Sequence, residues 1–397
     1  MSFINMAANT QIHILPEEFT DIAPYDDHQF QAKLAELVTE EGFEHAIRYV
    51  MPDVDYAEFV KQLLQVKTQS QFQNETVGAF LEMLVSRTTS GLSMDGQENI
   101  DTSVSHTFIT NHRDIVLDAS FLNLNFIRAK MPLTQIAIGN NLLIYDWITD
   151  LVKLNRSFIV KRDVRRLEAL EAARHLSAYI HYVITERHEP VWIAQREGRA
   201  KDSNDVTQES LIKMLSLAGG GDTKANLLAV NLTPVSISYE FDPNDYLKAR
   251  EFLMRRRDPQ FKKSQRDDLF SMETGILKYK GHIKMHIGKS INDDLAAFVG
   301  TERAEVAQYA CRLIDQGIHR GYEIYPCNYI AYDAVNDCHQ FASHYTADDV
   351  ESFNAYLEHQ LDKVDIDDVS AEERVYMRHM MLTMYANPLA NQLAARQ

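Results

Sequence analysis

The stretch His106–Asp118, HTFITNHRDIVLD, decides the fold, because it holds a strand, a turn and the start of a helix in immediate succession. Residues 107–110 form a short apolar and β-branched run, which is typical of a buried strand. From Asp114 onward the pattern predicts a long apolar helix that ends at Lys130. The junction is Asn111-His112-Arg113, so a histidine lies where the strand gives way to the helix. In α/β folds this rim of the sheet is where ligands bind.

His112 has two carboxylates close behind it in the chain. An imidazole has an ordinary pKa near neutrality, so it can accept and return a proton. Asp118 or Asp114 can fix its tautomer and stabilise the imidazolium that forms when the outer nitrogen accepts a proton. The structural alternative is that His112 caps a turn and that Asp114 interacts with the helix dipole. On this stretch alone both interpretations stay open.

Downstream of this stretch, predicted strands alternate with predicted helices. The strands are 107–110, 135–138, 157–160, 191–194 and 232–239; the helices are 114–130, one that begins at Gly139-Asn140, 164–187, 207–217 and 245–254. Alternation of this kind predicts an α/β fold with a mostly parallel, mixed sheet flanked by helices. The loops after the strands would then share one rim.

We expect three regions: an N-terminal helical domain (1–92), an α/β domain (93–300) and a C-terminal helical extension (301–397). Residues 28–89 predict three helices, and the polar residues 93–103 predict a loop that places a boundary near residue 92. Residues 276–287 predict one or two further strands, and 302–317, 348–361 and 371–386 predict helices. The last helix is rich in methionine, and we expect it to pack on the main domain rather than on lipid.

Composition narrows the class of protein. The 397 residues are 45% hydrophobic, which is ample for a large core. No run of about 18 apolar residues occurs and the N-terminus lacks the pattern of a secretion signal, so we expect a cytoplasmic location. The net charge of −17 argues against nucleic-acid binding. Cysteines stand only at 311, 327 and 338, which predicts reduced thiols.

Two loops that follow predicted strands carry cations. Lys161-Arg162 ends strand 157–160, and Glu197-Gly198-Arg199, with Lys201 nearby, follows strand 191–194. A guanidinium matches two phosphate oxygens at once, so Arg199 helped by Lys201 is a candidate clamp for a phosphorylated substrate. Gly198 permits a tight turn. Taken singly, Glu197-Gly198-Arg199 is better explained as a solvated charged turn, and the alternative for Lys161-Arg162 is a rim charge paired with Asp163.

Taken in order, these blocks resemble those of the glycerolipid acyltransferases, the glycerol-3-phosphate and 1-acylglycerol-3-phosphate acyltransferase superfamily. The family's first block, Asn-His followed by an aspartate, is similar to NHRDIVLD at 111–118. Its second, a Gly-Asn-Leu entry that leads to an aromatic and basic strand, is similar to residues 139–162. Its third, Glu-Gly-x-Arg, is similar to Glu197-Gly198-Arg199, and its fourth, an apolar strand with proline, to residues 232–239.

The chain departs from the family pattern in two places. The family's aspartate lies five residues after its histidine, whereas Asp118 lies six residues after His112 and Asp114 lies two. One residue rotates a helical side chain by about 100°, so Asp118 reaches His112 only if the turn absorbs the extra residue. We favour Asp118 and keep Asp114 as the alternative. The third block is one residue short, so the main phosphate contact is either Arg199 or Lys201.

The resemblance implies acyl transfer in phospholipid synthesis. The donor would be an acyl thioester, acyl-ACP or acyl-CoA, and the acceptor glycerol-3-phosphate or 1-acylglycerol-3-phosphate, with no cofactor or metal. His112 would act as the base, backed by Asp118 or Asp114. The residues that would bind substrate are Arg113, Lys161, Arg162, Glu197, Gly198, Arg199 and Lys201. Because substrate and product are lipids, we expect peripheral contact with the inner face of the cytoplasmic membrane.

Two alternatives stay open: an O-acyltransferase for another lipid acceptor such as an N-acyl amino acid, and a non-catalytic acyl-carrier or lipid-binding protein. Residues 248–266 hold eight basic residues against two acidic ones, which predicts either a docking surface for an acidic carrier or membrane, or a solvated linker. His112-Arg113-Asp114 spells a kinase catalytic loop, but the other kinase motifs are missing. The pairs His282/His286 and His175/His181 lack a third metal ligand at a recognisable spacing.

Overall fold

The computed structural model describes residues 15–162, residue 165 and residues 168–397. The strands are β1 (Gly91–Asp95), β2 (Thr107–Thr110), β3 (Gln135–Gly139), β4 (Ser157–Val160), β5 (Val191–Ala194), β6 (Leu232–Tyr239) and β7 (His282–Ile287). The helices are α1 (Asp27–Leu37), α2 (Glu41–Val50), α3 (Tyr56–Leu63), α4 (Gln69–Gln71), α5 (Gly78–Thr88), α6 (Leu117–Ala129), α7 (Asp146–Leu154), α8 (Ala169–Thr185), α9 (Glu209–Leu215), α10 (Thr223–Ala229), α11 (Asp245–Arg257), α12 (Gln265–Leu277), α13 (Asn292–Ala297), α14 (Arg303–Arg320), α15 (Pro326–Val335), α16 (Ala347–Leu361) and α17 (Ala371–Ala395). A π-helical segment, Phe72–Val77, joins α4 to α5.

The described strands form one seven-stranded sheet in the order β1-β7-β6-β2-β5-β3-β4. Neighbouring strands are parallel except β6 and β7, which are antiparallel. Strand β2 lies at the centre, with Thr107 opposite Val191 on one side and Leu232 on the other. Every residue of β2 and β6 is buried, as in strands that are covered on both faces. The predicted α/β fold, a mostly parallel mixed sheet flanked by helices, is confirmed.

Strands β2, β4, β5 and β6 begin and end at the predicted residues. Each is rich in apolar and β-branched residues, a composition that together with its short length favours a buried strand. The helix predicted at 164–187 is observed as α8. Three residues of the predicted range, Val164, Arg166 and Leu167, lie outside the described residues.

The predicted loop at 93–103 is wrong in its first residues, because Gly91–Asp95 is strand β1. The predicted boundary near residue 92 therefore falls inside a strand of the sheet. Only Leu92 and Met94 are apolar in this segment, and its partner is β7, far along the chain. A strand that forms by pairing with a distant segment is hard to recognise from its own residues alone. The strands predicted within 276–287 reduce to β7, since Ile276 belongs to α12.

The N-terminal region contains more helices than the three predicted. The first and third are confirmed as α1 and α5, whose apolar faces are buried. The middle one is two helices, α2 and α3, and Asp55 caps α3 by accepting hydrogen bonds from Ala57 N and Glu58 N. Side chains of these helices pack with Leu154, Trp147 and Leu151 of α7. Helices α1, α2 and α3 thus pack beside α7, the helix between β3 and β4, whereas α5 packs with α6 and β1.

The C-terminal helices predicted at 302–317, 348–361 and 371–386 are observed as α14, α16 and α17. The methionine-rich face of α17 is buried: Met377, Met381 and Met384 pack in a cluster with residues of α11, α15 and α16. This helix therefore packs on the protein, as expected from its apolar stripe. Among the described residues, no helix combines the length and apolar character needed to cross a bilayer.

Candidate active site

The chain leaves β2 at Asn111, whose side chain continues the pairing with β6. Its Nδ2 donates to the carbonyl oxygen of Ile237 at 2.9 Å, and its Oδ1 accepts from Ile237 N at 2.8 Å. These two hydrogen bonds imitate those of a strand residue and fix the direction in which the chain turns. His112 follows at once, at the carboxyl edge of the central strand. The sequence therefore delivers the imidazole to the rim where α/β folds bind ligands.

His112 is paired with Asp118. The distance from His112 Nδ1 to Asp118 Oδ2 is 2.8 Å, and the two side chains are 13% and 1% exposed. When the carboxylate is ionised, Nδ1 donates this hydrogen bond, and the lone pair of Nε2 is left free to accept a proton. The pair therefore has the geometry of a general base backed by a buried acid.

The turn before α6 absorbs the extra residue between His112 and Asp118. Asp114 Oδ1 accepts hydrogen bonds from the amides of Val116 and Leu117, at 2.9 and 2.8 Å. These bonds satisfy free amides at the start of α6, as an N-cap does. Asp118 Oδ2 also accepts from the amides of Arg113 and Asp114, at 2.7 and 3.1 Å. Asp114 thus shapes the turn, and Asp118 is the carboxylate that contacts the imidazole.

Burial governs the charge states behind His112. It raises the pKa of Asp114, and the neighbouring carboxylate of Asp118 raises it further, while Arg199 opposes the increase. Burial also raises the pKa of Tyr239 well above its usual range, so its phenol stays neutral. The Tyr239 hydroxyl lies 3.5 Å from Asp118 Oδ1. The carboxylate of Asp118 is therefore buried and has a neutral phenol beside it, while the imidazole that it contacts is slightly exposed.

A cavity of about 1200 Å³ begins at His112. Small-molecule sites usually span about 300–1,000 Å³, so this one is large. Its walls are mostly apolar and come from both faces of the sheet. The described lining residues include Ile47, Phe59, Leu63, Phe72, Phe80, Met83, Ile138, Leu151, Leu176, Trp192, Leu211 and Met214. A space of this size and polarity is suited to a long hydrocarbon chain.

The two faces can be assigned from β2 itself, because consecutive strand residues point in opposite directions. Phe108 packs in the cluster that contains α5 and α6, and Ile109 packs in the cluster that contains α8 and α9. The cavity is lined by residues of all four helices. The cavity therefore reaches both faces of the sheet, and His112 is part of its lining.

Lys161 and Arg162 line the cavity on the α8 side. Arg162 N donates to Asn140 Oδ1 at 2.8 Å, and its guanidinium lies 3.5 Å from Glu197 Oε1. Lys161 Nζ pairs with Asp21 Oδ2 at 2.5 Å. Asn140 and Arg162 of the second block and Glu197 of the third thus meet at one end of the cavity. Both ion pairs are partly exposed, so they contribute little energy and a ligand anion can replace the carboxylates.

The other predicted phosphate-binding cations lie elsewhere. Arg113 is 5% exposed and pairs with Asp205 at 2.6 Å, and Lys201 lies 3.3 Å from Glu251. Burial and the charge of Arg199 lower the pKa of Lys201 to about 7. The described residues that line the cavity include neither Arg113, Arg199 nor Lys201. The predicted cations therefore form two groups: one in the described lining of the cavity, and one outside it, in which Arg113 and Arg199 are buried and Lys201 is half-buried.

Gly198 adopts the left-handed backbone conformation expected of a tight turn, with φ of +68°. Its turn directs Glu197 toward the cavity, while Arg199 becomes buried at 6% exposure. The Arg199 Nη1 atom is buried without a hydrogen-bond partner among the described residues. The third block thus contributes Glu197 to the cavity wall, beside Arg162, and Arg199 to the group of cations outside the cavity.

The basic segment 248–266 is largely neutralised within the protein. Lys248 is buried against Asp242, Arg250 lies 3.6 Å from Asp267, and Arg255 and Lys263 both reach Glu251. Arg256 and Arg257 pair with Glu372 and Glu373 of α17. Six of the eight basic residues of this segment are therefore paired within the protein, and of these Lys248 is almost fully buried. Docking of a carrier or membrane on this segment stays a prediction.

The histidines considered as metal ligands pair with other groups. His286 Nδ1 lies 2.6 Å from Asp95, His175 Nε2 lies 3.0 Å from Asp21, and His181 Nε2 lies 3.0 Å from the Leu215 carbonyl oxygen. Within the described ranges no cluster of three potential metal ligands occurs.

Sequence reasoning missed several features of the site. Trp192 forms part of the wall, with its ring centroid 6.3 Å from that of His112, but a tryptophan in a buried strand has no local mark of function. Asn140, which holds Arg162, stood in the second block without an assigned role. The largest omission is the contribution of α2, α3 and α5 to the cavity. Their unpartnered apolar faces were the available signal.

No protein-family model and no curated protein sequence matches this chain. A search of solved structures found a similarity to the crystal structure of the 1-acyl-sn-glycerophosphate (LPA) acyltransferase PlsC from Thermotoga maritima. The match has a TM-score of 0.33 and 14% sequence identity, and it covers 73% of this chain and 95% of that one. The overall likeness is distant.

Proposed function

We propose that this protein is an acyltransferase, which moves a fatty acyl group from an acyl thioester to a hydroxyl of glycerol-3-phosphate or 1-acylglycerol-3-phosphate. One observation carries the proposal: the His112–Asp118 pair lies in the wall of a large apolar cavity that has cations at one end. The apolar cavity can hold an acyl chain, and the imidazole can accept a proton from a hydroxyl group. Lys161 and Arg162 can bind a phosphate.

The reaction needs no covalent enzyme intermediate. His112 Nε2 removes the proton from the acceptor hydroxyl while that oxygen attacks the thioester carbonyl carbon, and a new C–O bond forms. The tetrahedral intermediate then collapses, the C–S bond breaks, and the imidazolium returns its proton to the leaving thiolate. Asp118 holds Nδ1 and balances the positive charge of the ring during both steps. The products are an ester and a free thiol.

Lys161 and Arg162 would hold the acceptor's phosphate in place of Asp21 and Glu197. The arrangement leaves the acyl chain in the apolar part of the cavity and the charged acceptor at its polar end. Arg113, Arg199 and Lys201 would support the site from outside the cavity, since they pair with or lie near buried carboxylates and are not among its described lining residues. We include peripheral contact with a membrane in the proposal, because the product is a lipid.

The test is an assay of the purified full chain with radiolabelled palmitoyl-coenzyme A or palmitoyl-acyl carrier protein. The acceptors are glycerol-3-phosphate, lysophosphatidate and an N-acyl amino acid. We expect ester formation with a phosphorylated acceptor, and its loss in His112→Ala with the fold retained. His286→Ala is the matched control, because His286 also pairs with an aspartate but on the β1–β7 side of the sheet.

Two results would contradict the proposal in different ways. Turnover with the N-acyl amino acid alone would mean an acyltransferase with another acceptor. Tight binding of the acyl donor without turnover, unchanged in His112→Ala, would mean a lipid-binding or carrier-binding protein.

A further inference from the structure

Helix α12 lies between the candidate active site and the surface of the protein. On one of its faces Gly275 packs against the carboxylate of Asp114, which shapes the turn after His112. On a second face Met272 and Ile276, one helical turn apart, line the cavity. The helix therefore contacts both the catalytic turn and the cavity, and its third face points outward.

The outward face of α12 combines a cation with aromatic side chains. Arg266 and Phe270, one turn apart, are both exposed, and the exposed fraction of Phe270 is 46%. Tyr49 of α2 lies beside this face, because its hydroxyl donates to the carboxylate of Glu273, and it is 51% exposed. Arginine and large aromatic residues supply much of the binding energy in protein–protein interfaces.

This part of the chain is basic in an acidic protein. Residues 248–278 contain nine basic and five acidic side chains, a net charge of +4, whereas the whole chain has a net charge of −17. Lys262, Arg266 and Lys278 are exposed and form no ion pair with another described residue. We refer to these three residues, with Phe270 and Tyr49, as the α12 patch.

We infer that the α12 patch docks an acidic carrier protein, which delivers the acyl group as its thioester. This inference rests on the proposed acyl transfer and names the donor's carrier. The unpaired cations attract an acidic partner, and the exposed aromatic rings supply apolar contacts. Since the same helix lines the cavity on another face, a docked carrier would lie about one helix diameter, roughly 10–12 Å, from the cavity wall.

The mixed charges around the patch favour a protein partner over an anionic bilayer. Asp258, Asp267 and Asp268 lie among the cations, and all three are at least partly exposed. A bilayer with a uniformly negative surface repels such carboxylates. A folded partner can instead place its own charges opposite each sign, which fixes the orientation of docking.

The experiment compares the double variant Lys262→Glu/Arg266→Glu with the wild-type full chain, using palmitoyl-acyl carrier protein and palmitoyl-coenzyme A as donors. At low ionic strength the KM for the carrier-bound donor should rise by about tenfold or more, because electrostatic steering accelerates association by about 10- to 1,000-fold. The difference should shrink at about 1 M salt, where the Debye length is about 3 Å. The kcat and KM with palmitoyl-coenzyme A should keep their wild-type values, which also shows that the variant is folded.

The matched control is Arg303→Glu/Arg312→Glu on α14, which makes the same change of charge at exposed residues. Helix α14 packs on the sheet face of Ile109, whereas Ile276 of α12 packs on the face of Phe108. This control should leave the kinetics with both donors unchanged.

A second variant, Phe270→Ala, tests the apolar part of the patch. It removes an exposed ring without changing the charge, so it should raise the KM for the carrier-bound donor at low and at high salt alike. The kinetics with palmitoyl-coenzyme A should again stay unchanged, because Phe270 is not among the described lining residues of the cavity.

Four outcomes overturn the inference. An unchanged KM for the carrier-bound donor in both variants would mean that the carrier docks elsewhere, and equal losses with the two donors would mean that the patch acts through the fold or the chemical step. Loss of sedimentation with phosphatidylglycerol vesicles, at an unchanged carrier KM, would identify the patch as a membrane contact. A wild-type protein that uses only palmitoyl-coenzyme A would have no carrier to dock, although the proposed function would stand. A wild-type protein that transfers from neither donor would show that the proposed function itself is wrong.

Discussion

Gly275 of α12 lies directly against the carboxylate of Asp114. A methyl group at Gly275 would lie 1.9 Å from Asp114 Oδ2, far inside any allowed contact. Gly275 and Asp114 are both buried, so neither can move into solvent. The absence of a side chain at Gly275 is therefore a condition for the turn that places Asp118 beside His112.

Replacing Gly275 with alanine should disturb that turn. Overpacking of this kind costs about 1–3 kcal/mol, which exceeds the roughly 1 kcal/mol that alanine gains over glycine within a helix. We expect a lower Tm and a lower kcat, because the displaced Asp114 moves the turn and Asp118 with it. The control is Gly78→Ala in α5, where the new methyl would lie 3.3 Å from the flexible end of Ile127 and at an ordinary contact distance of 3.4 Å from the Gln73 carbonyl oxygen. Equal behaviour of the two variants would show that Gly275 does not support the turn.

Asp118 and Asp114 should respond differently to replacement by asparagine. In Asp118→Asn the new amide would hold the wrong ring tautomer of His112, and an analogous change in a serine protease lowers kcat by about 10⁴-fold, so we expect a loss of about 10³–10⁴-fold. Asparagine is a good helix cap, and the pKa of Asp114 is already raised by burial, so Asp114→Asn should keep most of the activity. Steady-state rates of the two purified variants decide the question. A larger loss of activity in Asp114→Asn than in Asp118→Asn would identify Asp114 as the carboxylate that supports His112.

The fold was predictable where the signal was local. The buried strands at 107–110 and 232–239 are rich in apolar and β-branched residues, and their predicted bounds agree with the structure. Strand β1 was not predictable, because its two apolar residues acquire meaning only beside β7, which lies some 190 positions later. The sequence also favoured Asp118 over Asp114, but the bonds from Asp114 to Val116 N and Leu117 N required the structure.

The cationic part of the site was harder to predict for an electrostatic reason. A basic residue in a loop looks the same in the sequence whether it faces a cavity or a buried carboxylate. Arg162 faces the cavity, whereas Arg113 is neutralised by Asp205, and that partner lies 92 positions away in the chain. The contribution of α2 and α3 to the cavity wall was also hard to predict, because it depends on contacts between distant segments.

Arg162→Ala should weaken the binding of a phosphorylated acceptor. A hydrogen bond to a charged group contributes about 1.5–3 kcal/mol, so the KM for that acceptor should rise by about 10- to 150-fold while the KM for the acyl donor stays constant. Initial rates over a range of acceptor concentrations measure this effect. Arg128→Ala serves as the control, since Arg128 pairs with Glu82 on the outer side of α6. A rise confined to the donor KM would place the phosphate elsewhere.

The stability of the protein should depend on pH through Asp245. Its carboxylate accepts hydrogen bonds from Tyr356, Tyr385 and Gln360, at 2.8, 2.9 and 2.6 Å. Burial, followed by the charge of Asp242, raises its pKa from 3.8 to about 7. Between these values the native state binds a proton that the unfolded chain does not. The free energy of unfolding therefore falls as the pH rises through this window, and it levels off above the native pKa.

Asp245→Asn removes this titration while it preserves the shape of the side chain. The free energy of unfolding of the variant, minus that of the wild type, should therefore increase as the pH rises from about 5 to 8, because only the wild type loses stability through this titration. Denaturant unfolding at several pH values measures the difference, and the subtraction cancels the contribution of all other titrating groups. Parallel curves for the two proteins would mean that Asp245 has the same pKa in the folded and unfolded states. In that case the two tyrosines and Gln360 would stabilise the ionised carboxylate well enough to offset its burial.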